Sequence, residues 1–328
     1  MIDVSRKSLY ESGRKKATKN ERKKTERRNV LLMYNPSSGQ GNGRKDLSAI
    51  IEKLAGWGCE VTVFPVLPEK GLTSEKIIHR HQEGFDVYAI YGGDGSLNYV
   101  INGLMNDGLK VPVGYIPGGS TNDFARSFSD SISINDCCRA IAYGEPFAYD
   151  IGFFNEKRYF NYVAAFGAFT RTSYETPQEF KNIFGYGAYA MTAIGSFPDS
   201  ISYRRHMKVT HDGITLEGNF IYGSISNSTS VGGMKLAYNQ DASLNDGMFE
   251  VMLVVSPDNP LDLASVVGSL ATGVSDDRFV KAFKTSELTI ETDEDIDWTL
   301  DGESGGTWRN VTIRVVPEAV SMMVTKKK

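Results

Sequence analysis

The stretch VYAIYGGDGSLN, residues 87–98, constrains this chain more than any other. A short apolar, aromatic-rich run ends in Gly-Gly-Asp-Gly and resumes with Ser-Leu-Asn, which predicts a buried strand, a tight glycine turn and the start of a helix. Gly92, Gly93 and Gly95 lack a Cβ, so the backbone there is free to take positive φ and to approach a ligand closely. The amides of such a turn, with those opening the following helix, form a concavity of partial positive charge suited to a polyphosphate. Asp94 is anomalous in that setting. A carboxylate repels phosphate oxygens unless a divalent cation lies between them or the group takes a proton from an attacking hydroxyl, and both tasks belong to phosphoryl transfer. An ordinary glycine turn with a helix-capping Asp accounts for the same four letters.

The pattern recurs on either side. The apolar run 30–34 breaks into Asn35-Pro36-Ser37-Ser38-Gly39, and the run 111–116 breaks into Pro117-Gly118-Gly119-Ser120-Thr121-Asn122-Asp123. The first loop has neither the dinucleotide fingerprint nor the Walker A spacing. Helical periodicity over 44–56, 74–82, the residues after 98, and 134–143 alternates with strands, including one at 60–65. That alternation predicts an α/β nucleotide-binding domain over 29–145 with a mostly parallel sheet, ligands sitting at the carboxyl ends of its strands. From 146 to 324 strand-like segments dominate, at 158–166, 201–210, 216–227, 248–255, 287–292 and 307–316. Helical stretches at 178–196 and 261–272 interrupt them, giving a β-rich second domain. The aromatic segments 159–169 and 180–197 either line an apolar substrate cavity or fill ordinary core.

At 328 residues and 41% hydrophobic content the chain can bury a sizeable core. No apolar run approaches the roughly 20 residues of a membrane helix, and the N-terminus lacks the apolar stretch of a secretory signal, so a cytoplasmic protein is expected. Three cysteines and four histidines without metal-ligand spacing predict reduced thiols and no zinc. The net charge of −4 conceals a division: residues 1–28 hold eleven Lys or Arg against four Asp or Glu, a net +7, and the remainder carries −11. The tail reads as disordered and basic, suited to the anionic inner face of a membrane at about 1 kcal/mol per basic residue near it. Nucleic acid is not expected as a partner, because the body offers no basic groove to continue the contact. Exposed strand edges in the second domain are compatible with a homodimer.

Six motifs stand in one order: Asn35 to Gly39, Gly92 to Asn98, Gly118 to Arg126, Asp150-Ile151-Gly152, Ser243-Leu244-Asn245-Asp246-Gly247-Met248 and Asp301-Gly302-Glu303. In that register residues 29–324 resemble the diacylglycerol kinase catalytic family, which includes sphingosine and ceramide kinases and soluble bacterial lipid kinases. The resemblance implies an ATP-dependent lipid kinase with an α/β nucleotide domain, a β-sandwich domain and an active site in the cleft between them. It assigns the ATP phosphates to Asn35, Pro36, Ser37, Ser38 and Gly39 and to Gly92, Gly93, Asp94, Gly95, Ser96, Leu97 and Asn98. Ser120 and Asn122 would contact the nucleotide, and Asp123 and Asp150 would join an acidic network organising magnesium. A structural magnesium would take the carbonyls of Ser243 and Met248 and the carboxylate of Asp246, oxygen ligands that suit a hard cation; a plain turn is the local alternative.

Glu303 matches the general base that takes the proton of the lipid hydroxyl, with Asp301 in support and Asp94 the competing base. A primary alcohol of very high pKa needs a carboxylate within hydrogen-bond reach. Two departures from the family pattern are the continuation of the first loop as Gln40-Gly41-Asn42-Gly43, which delays its basic residues to Arg44 and Lys45, and Ser96 where Thr is commoner. The implied activity is phosphorylation of a membrane lipid, diacylglycerol first, to give phosphatidic acid. A sphingoid base, ceramide or a polyprenol are alternative acceptors; NAD kinase, which also uses Gly-Gly-Asp-Gly, and a non-catalytic lipid- or nucleotide-binding module are alternative readings.

Overall fold

The computed structural model describes residues 27–38, 43–119, 122–128, 131–167, 204–228, 243–259 and 277–325, with positions 262, 265, 266 and 269. The basic tail over 1–26, Gly39, Ser120, the helical stretch 178–196, most of 261–272, and the side chain of Asp123 lie outside the described residues, as do residues 326–328.

The N-terminal part begins with β1 (Asn29–Tyr34), α1 (Gly43–Gly56), β2 (Glu60–Pro65), a 3-10 turn at Pro68–Lys70, α2 (Ser74–Arg80), β3 (Val87–Gly92), α3 (Asp94–Asp107), β4 (Val113–Pro117), α4 (Asp123–Phe128) and α5 (Ile134–Tyr143). The central strands are apolar on both faces because helices cover both. Val30 and Leu32 of β1 meet Ile50 and Leu54 of α1 and Cys138 and Ile141 of α5. Leu31 and Met33 face the other way, towards Ile77 and Ile78 of α2 and Leu97, Val100, Ile101 and Leu104 of α3. The i, i+3, i+4, i+7 spacing in α3 is the stripe a surface helix buries. Gly108, with φ of 67°, closes that helix by donating its N–H to the carbonyls of Leu104 and Met105.

The C-terminal part contributes β5 (Glu145–Phe154), β6 (Arg158–Phe160), β7 (Val163–Gly167), β8 (Arg205–His211), β9 (Ile214–Ser226), β10 (Phe249–Val255), β11 (Val280–Thr285), β12 (Glu287–Leu300) and β13 (Glu303–Val324). Its core is aromatic: Phe160 stacks on Phe249, and Phe154 and Phe166 meet Trp298. Among the aromatics singled out over 159–169, Phe160 and Phe166 are therefore packed core. The segment 180–197 lies outside the described residues.

Among the described residues, the thirteen strands form one hydrogen-bonded sheet, with the main order β11-β10-β9-β7-β12-β13-β4-β3-β1-β2. Strands β2, β1, β3 and β4 pair in parallel, but the pairs of the C-terminal strands are antiparallel, so the sheet as a whole is not mostly parallel. The parallel pairs are those where βαβ crossovers place helices between strands and the single one that joins β13 to β4. The 22-residue β13 joins the two parts. Its first half pairs with β12 and its second half with β5, and Met322 pairs with Val113 of β4. Met322 and Met323, near the end of that strand, are buried in the cores of the N-terminal part.

Candidate active site

The carboxyl ends of β1, β3 and β4 deliver three loops to one place. Gly118 donates its N–H to the carbonyl of Gly92 at 2.7 Å, and Asn35 donates its N–H to the carbonyl of Tyr91 at 2.9 Å. The Asn35 side chain spans two loops: Nδ2 donates to Ser96 Oγ at 3.2 Å, while Oδ1 accepts the N–H of Ser37 at 3.0 Å. Ser96 thus supplies the hydroxyl that this bond needs. In the third loop, the side chain of Asn122, with φ of 52°, exchanges two hydrogen bonds with the backbone of Gly119.

The glycines act differently from the sequence expectation. None of Gly92, Gly93 and Gly95 adopts positive φ. Gly93 is extended and caps α3, and Asp94 and Gly95 lie in its first turn. Their small size is what the fold uses. A Cβ on Gly119 would stand 2.9 Å from Cα of Gly93, and one on Gly118 would meet the Tyr91 ring at 2.8 Å. A Cβ on Gly95 would collide with the carboxylate of Glu303, whose Cδ lies 3.1 Å from that position. The proposed base of the C-terminal part thus rests directly on the opening turn of α3. That turn carries the positive end of the helix dipole, with amides that have no carbonyl of a preceding turn to bond.

Glu303 is delivered by a tight hairpin. Leu300 pairs with Glu303, and the two residues between them, Asp301 and Gly302, have φ of 52° and 83°. Positive φ at both central positions is the geometry for which Asp-Gly is preferred. The Asp301 carboxylate is 3% exposed and accepts four N–H groups. These come from Asn98 Nδ2 and Asn161 N, each at 2.7 Å, and from Tyr162 N at 3.0 Å and Val163 N at 3.1 Å. Burial pushes its pKa up, and the four donors hold it back. Asp301 thereby locks the hairpin that carries Glu303 to α3 and to the backbone of residues 161–163.

Arg158, which the sequence reading passes over, closes the same corner. It donates to the carbonyl of Ser304 at 2.9 Å and to Asn98 Oδ1 at 3.2 Å, tying the residue after Glu303 to α3. Tyr115 is a second omission: its hydroxyl donates to Asp94 Oδ1 at 2.9 Å. Burial, reinforced by Asp94, pushes the phenol well above its ordinary pKa, so it stays a donor and orients that carboxylate. Leu97 is core, its N–H closing the first helical turn on Gly93.

The remaining assigned residues form a separate group. Asp150 is buried, and its two oxygens accept the N–H groups of Gly247 at 2.6 Å and Glu318 at 2.7 Å. It pins loop 243–248 to an irregularity in β13 between Val316 and Val320. Asp246 accepts the N–H of Met248 at 3.1 Å and lies 3.3 Å from the ammonium of Lys284. Among the described residues no three His, Cys, Asp or Glu side chains gather as metal ligands. Magnesium asks for near-octahedral oxygen coordination, whereas here one carboxylate already faces a lysine. As arranged, Ser243, Asp246 and Met248 do not fit a resident magnesium ion.

Residues 29–154 match the diacylglycerol kinase catalytic domain, and residues 166–324 match the YegS C-terminal NAD kinase beta sandwich-like domain. A diacylglycerol kinase of Staphylococcus aureus (strain MRSA252) is 30% identical over 284 residues, covering 85% of this chain and 87% of that protein. The protein of the same name from Staphylococcus aureus (strain bovine RF122 / ET3-1) matches with the same figures. Two solved structures from Bacillus anthracis str. Sterne share the fold. One has a TM-score of 0.77 at 22% identity, over 92% of this chain and 96% of the other. The second, a diacylglycerol kinase, has a TM-score of 0.71 at 19% identity, over 92% and 98%.

Proposed function

Since the chain belongs to the diacylglycerol kinase catalytic family and is a lipid kinase, we propose that it transfers the γ-phosphoryl group of ATP, taken up as its magnesium complex, to the hydroxyl of diacylglycerol, giving phosphatidic acid. The observation that carries this reading is the seat of Glu303 on the first turn of α3. A carboxylate at that point is within the same small volume as the amides suited to phosphate oxygens.

The roles divide by chemistry. The amides opening α3 and the loops after β1 and β4 hold the phosphates. Asp94, oriented by Tyr115, would be the carboxylate available to the magnesium that ATP carries. Glu303 takes the proton of the lipid hydroxyl as its oxygen attacks the γ-phosphorus, and the bond to the β-phosphate oxygen breaks with ADP as leaving group. Asp301 and Arg158 fix the hairpin so that Glu303 keeps its place, since small displacements of a base cost large factors in rate. No helix among the described residues is long and apolar enough to cross a membrane, which is consistent with a peripheral enzyme that reaches its lipid from the inner membrane face.

The test is transfer of labelled γ-phosphate in mixed micelles to a panel of acceptors: diacylglycerol, ceramide, sphingosine, undecaprenol and NAD. Label in phosphatidic acid is the expected result. Label in another lipid would keep the reaction and replace the acceptor, and label only in NADP would overturn the lipid assignment.

A further inference from the structure

We propose that Lys284 is a built-in cation for loop 243–248, so that this chain orders the loop with an ammonium group in place of a resident divalent ion. Lys284 on β11 lies directly across from Glu250 on β10 as a paired residue of the antiparallel ladder. Its Nζ is 3.1 Å from Glu250 Oε1 and 3.3 Å from Asp246 Oδ2, so a single ammonium bridges the carboxylate of the loop and that of the strand following it. Glu250 is only 4% exposed, so the ammonium beside it is the counter-charge that its burial calls for. Cross-strand pairing fixes the donor by the sheet itself, whereas a metal would have to be recruited from solution.

The bridge belongs to a longer chain of contacts. Gly247, between Asp246 and Met248, donates to Asp150, which also accepts from Glu318 on β13. The Leu244 carbonyl accepts from the N–H of Asp150 at 2.8 Å and from Asn227 Nδ2 at 3.2 Å. Lys284 therefore anchors one end of a loop whose other contacts reach the strand that begins with Glu303. A magnesium ion on Asp246 would face this ammonium at close range, and the repulsion of like charges opposes its entry.

The Lys284 bridge acts on the loop alone, whichever lipid the enzyme accepts. Its test is thermal unfolding of the full chain without nucleotide, after treatment with EDTA and then with MgCl2 against KCl of equal ionic strength. Wild-type Tm should be the same in both, Lys284→Met should lower it by roughly 5 °C, and Lys284→Arg should recover most of the loss. Direct binding of Mn2+, followed by electron paramagnetic resonance, covers the case in which Lys284→Met does not fold: nucleotide-free wild-type protein should bind none tightly. A saturable Mg2+ stabilisation or stoichiometric Mn2+ binding in wild type that disappears in Asp246→Asn would overturn the proposal, as would a Lys284→Met protein as stable as wild type.

Discussion

At the scale of single residues, Gly95 distinguishes function from stability most sharply. In the first turn of α3, Gly95→Ala should favour the helix by up to about 1 kcal/mol. Its new methyl, however, would fall on the Glu303 carboxylate and push the proposed base out of position. The expected outcome is a Tm unchanged or raised with kcat lowered at least tenfold and ATP affinity retained, read by calorimetry and steady-state kinetics. The sequence marked this glycine correctly as special but for another reason, because close approach and positive φ are both privileges of glycine. Only the position of Glu303, 208 residues away in number, tells them apart. Tyr115 and Arg158 carried no such mark: a lone Tyr in a strand or Arg ahead of an aromatic run has no local signature. A second prediction concerns the thiols. Burial pushes Cys137 and Cys138 up to about 12 and raises Cys59 as well. The folded chain keeps these protons where the unfolded chain, near 9.0, has lost them, so stability should fall as pH rises from about 9 towards about 12. At neutral pH, alkylation by iodoacetamide should be slow until denaturant is added; rapid labelling of the native protein would contradict this.

At the scale of elements, the hairpin joining β12 to β13 is the hinge of the site, and Asp301 is what fastens it. All four of its hydrogen-bond partners named above are N–H donors. Asp301→Asn would therefore turn an amide NH2 towards donors and leave buried groups unpaired, at about 2–4 kcal/mol. Chemical denaturation should show that loss, together with a fall in kcat larger than the change in KM for ATP, while Asp301→Glu should not recover either. Unchanged stability would remove the fastening role. Elements with a strong pattern were legible: the strands at β1 to β4 and the helices α1, α3 and α5 follow from apolar runs and helical spacing. Strands β5 and β11 were not. β5 includes Glu145, Pro146 and Asp150, which break its alternation, and Asp150 is buried there only because Gly247 and Glu318 bring their amides to it. Likewise, the span 158–166 became β6 and β7, divided where Asn161 and Tyr162 turn their N–H groups to Asp301.

At the scale of the molecule, one sheet carries Glu303, the proposed base, to the end of the N-terminal part proposed to hold phosphate, with β13 as the continuous link. The pairing of distant strands is set by this tertiary path rather than by any local run: the expectation of parallel strands concerned 29–145, where β2, β1, β3 and β4 are parallel, and nothing local told that the antiparallel C-terminal strands continue the same sheet. The basic tail adds a membrane prediction: deletion of residues 1–28 should weaken binding to anionic vesicles at low salt and leave transfer to a micellar acceptor intact, since screening removes such attraction; unchanged vesicle binding would reject that role. The most direct measurement is turnover and ATP affinity of Glu303→Gln beside wild type, with diacylglycerol in mixed micelles. Turnover should fall by about 10²–10⁴ with ATP bound as before. Turnover equal to wild type would contradict the assignment of Glu303 as the base and return Asp94 to that role.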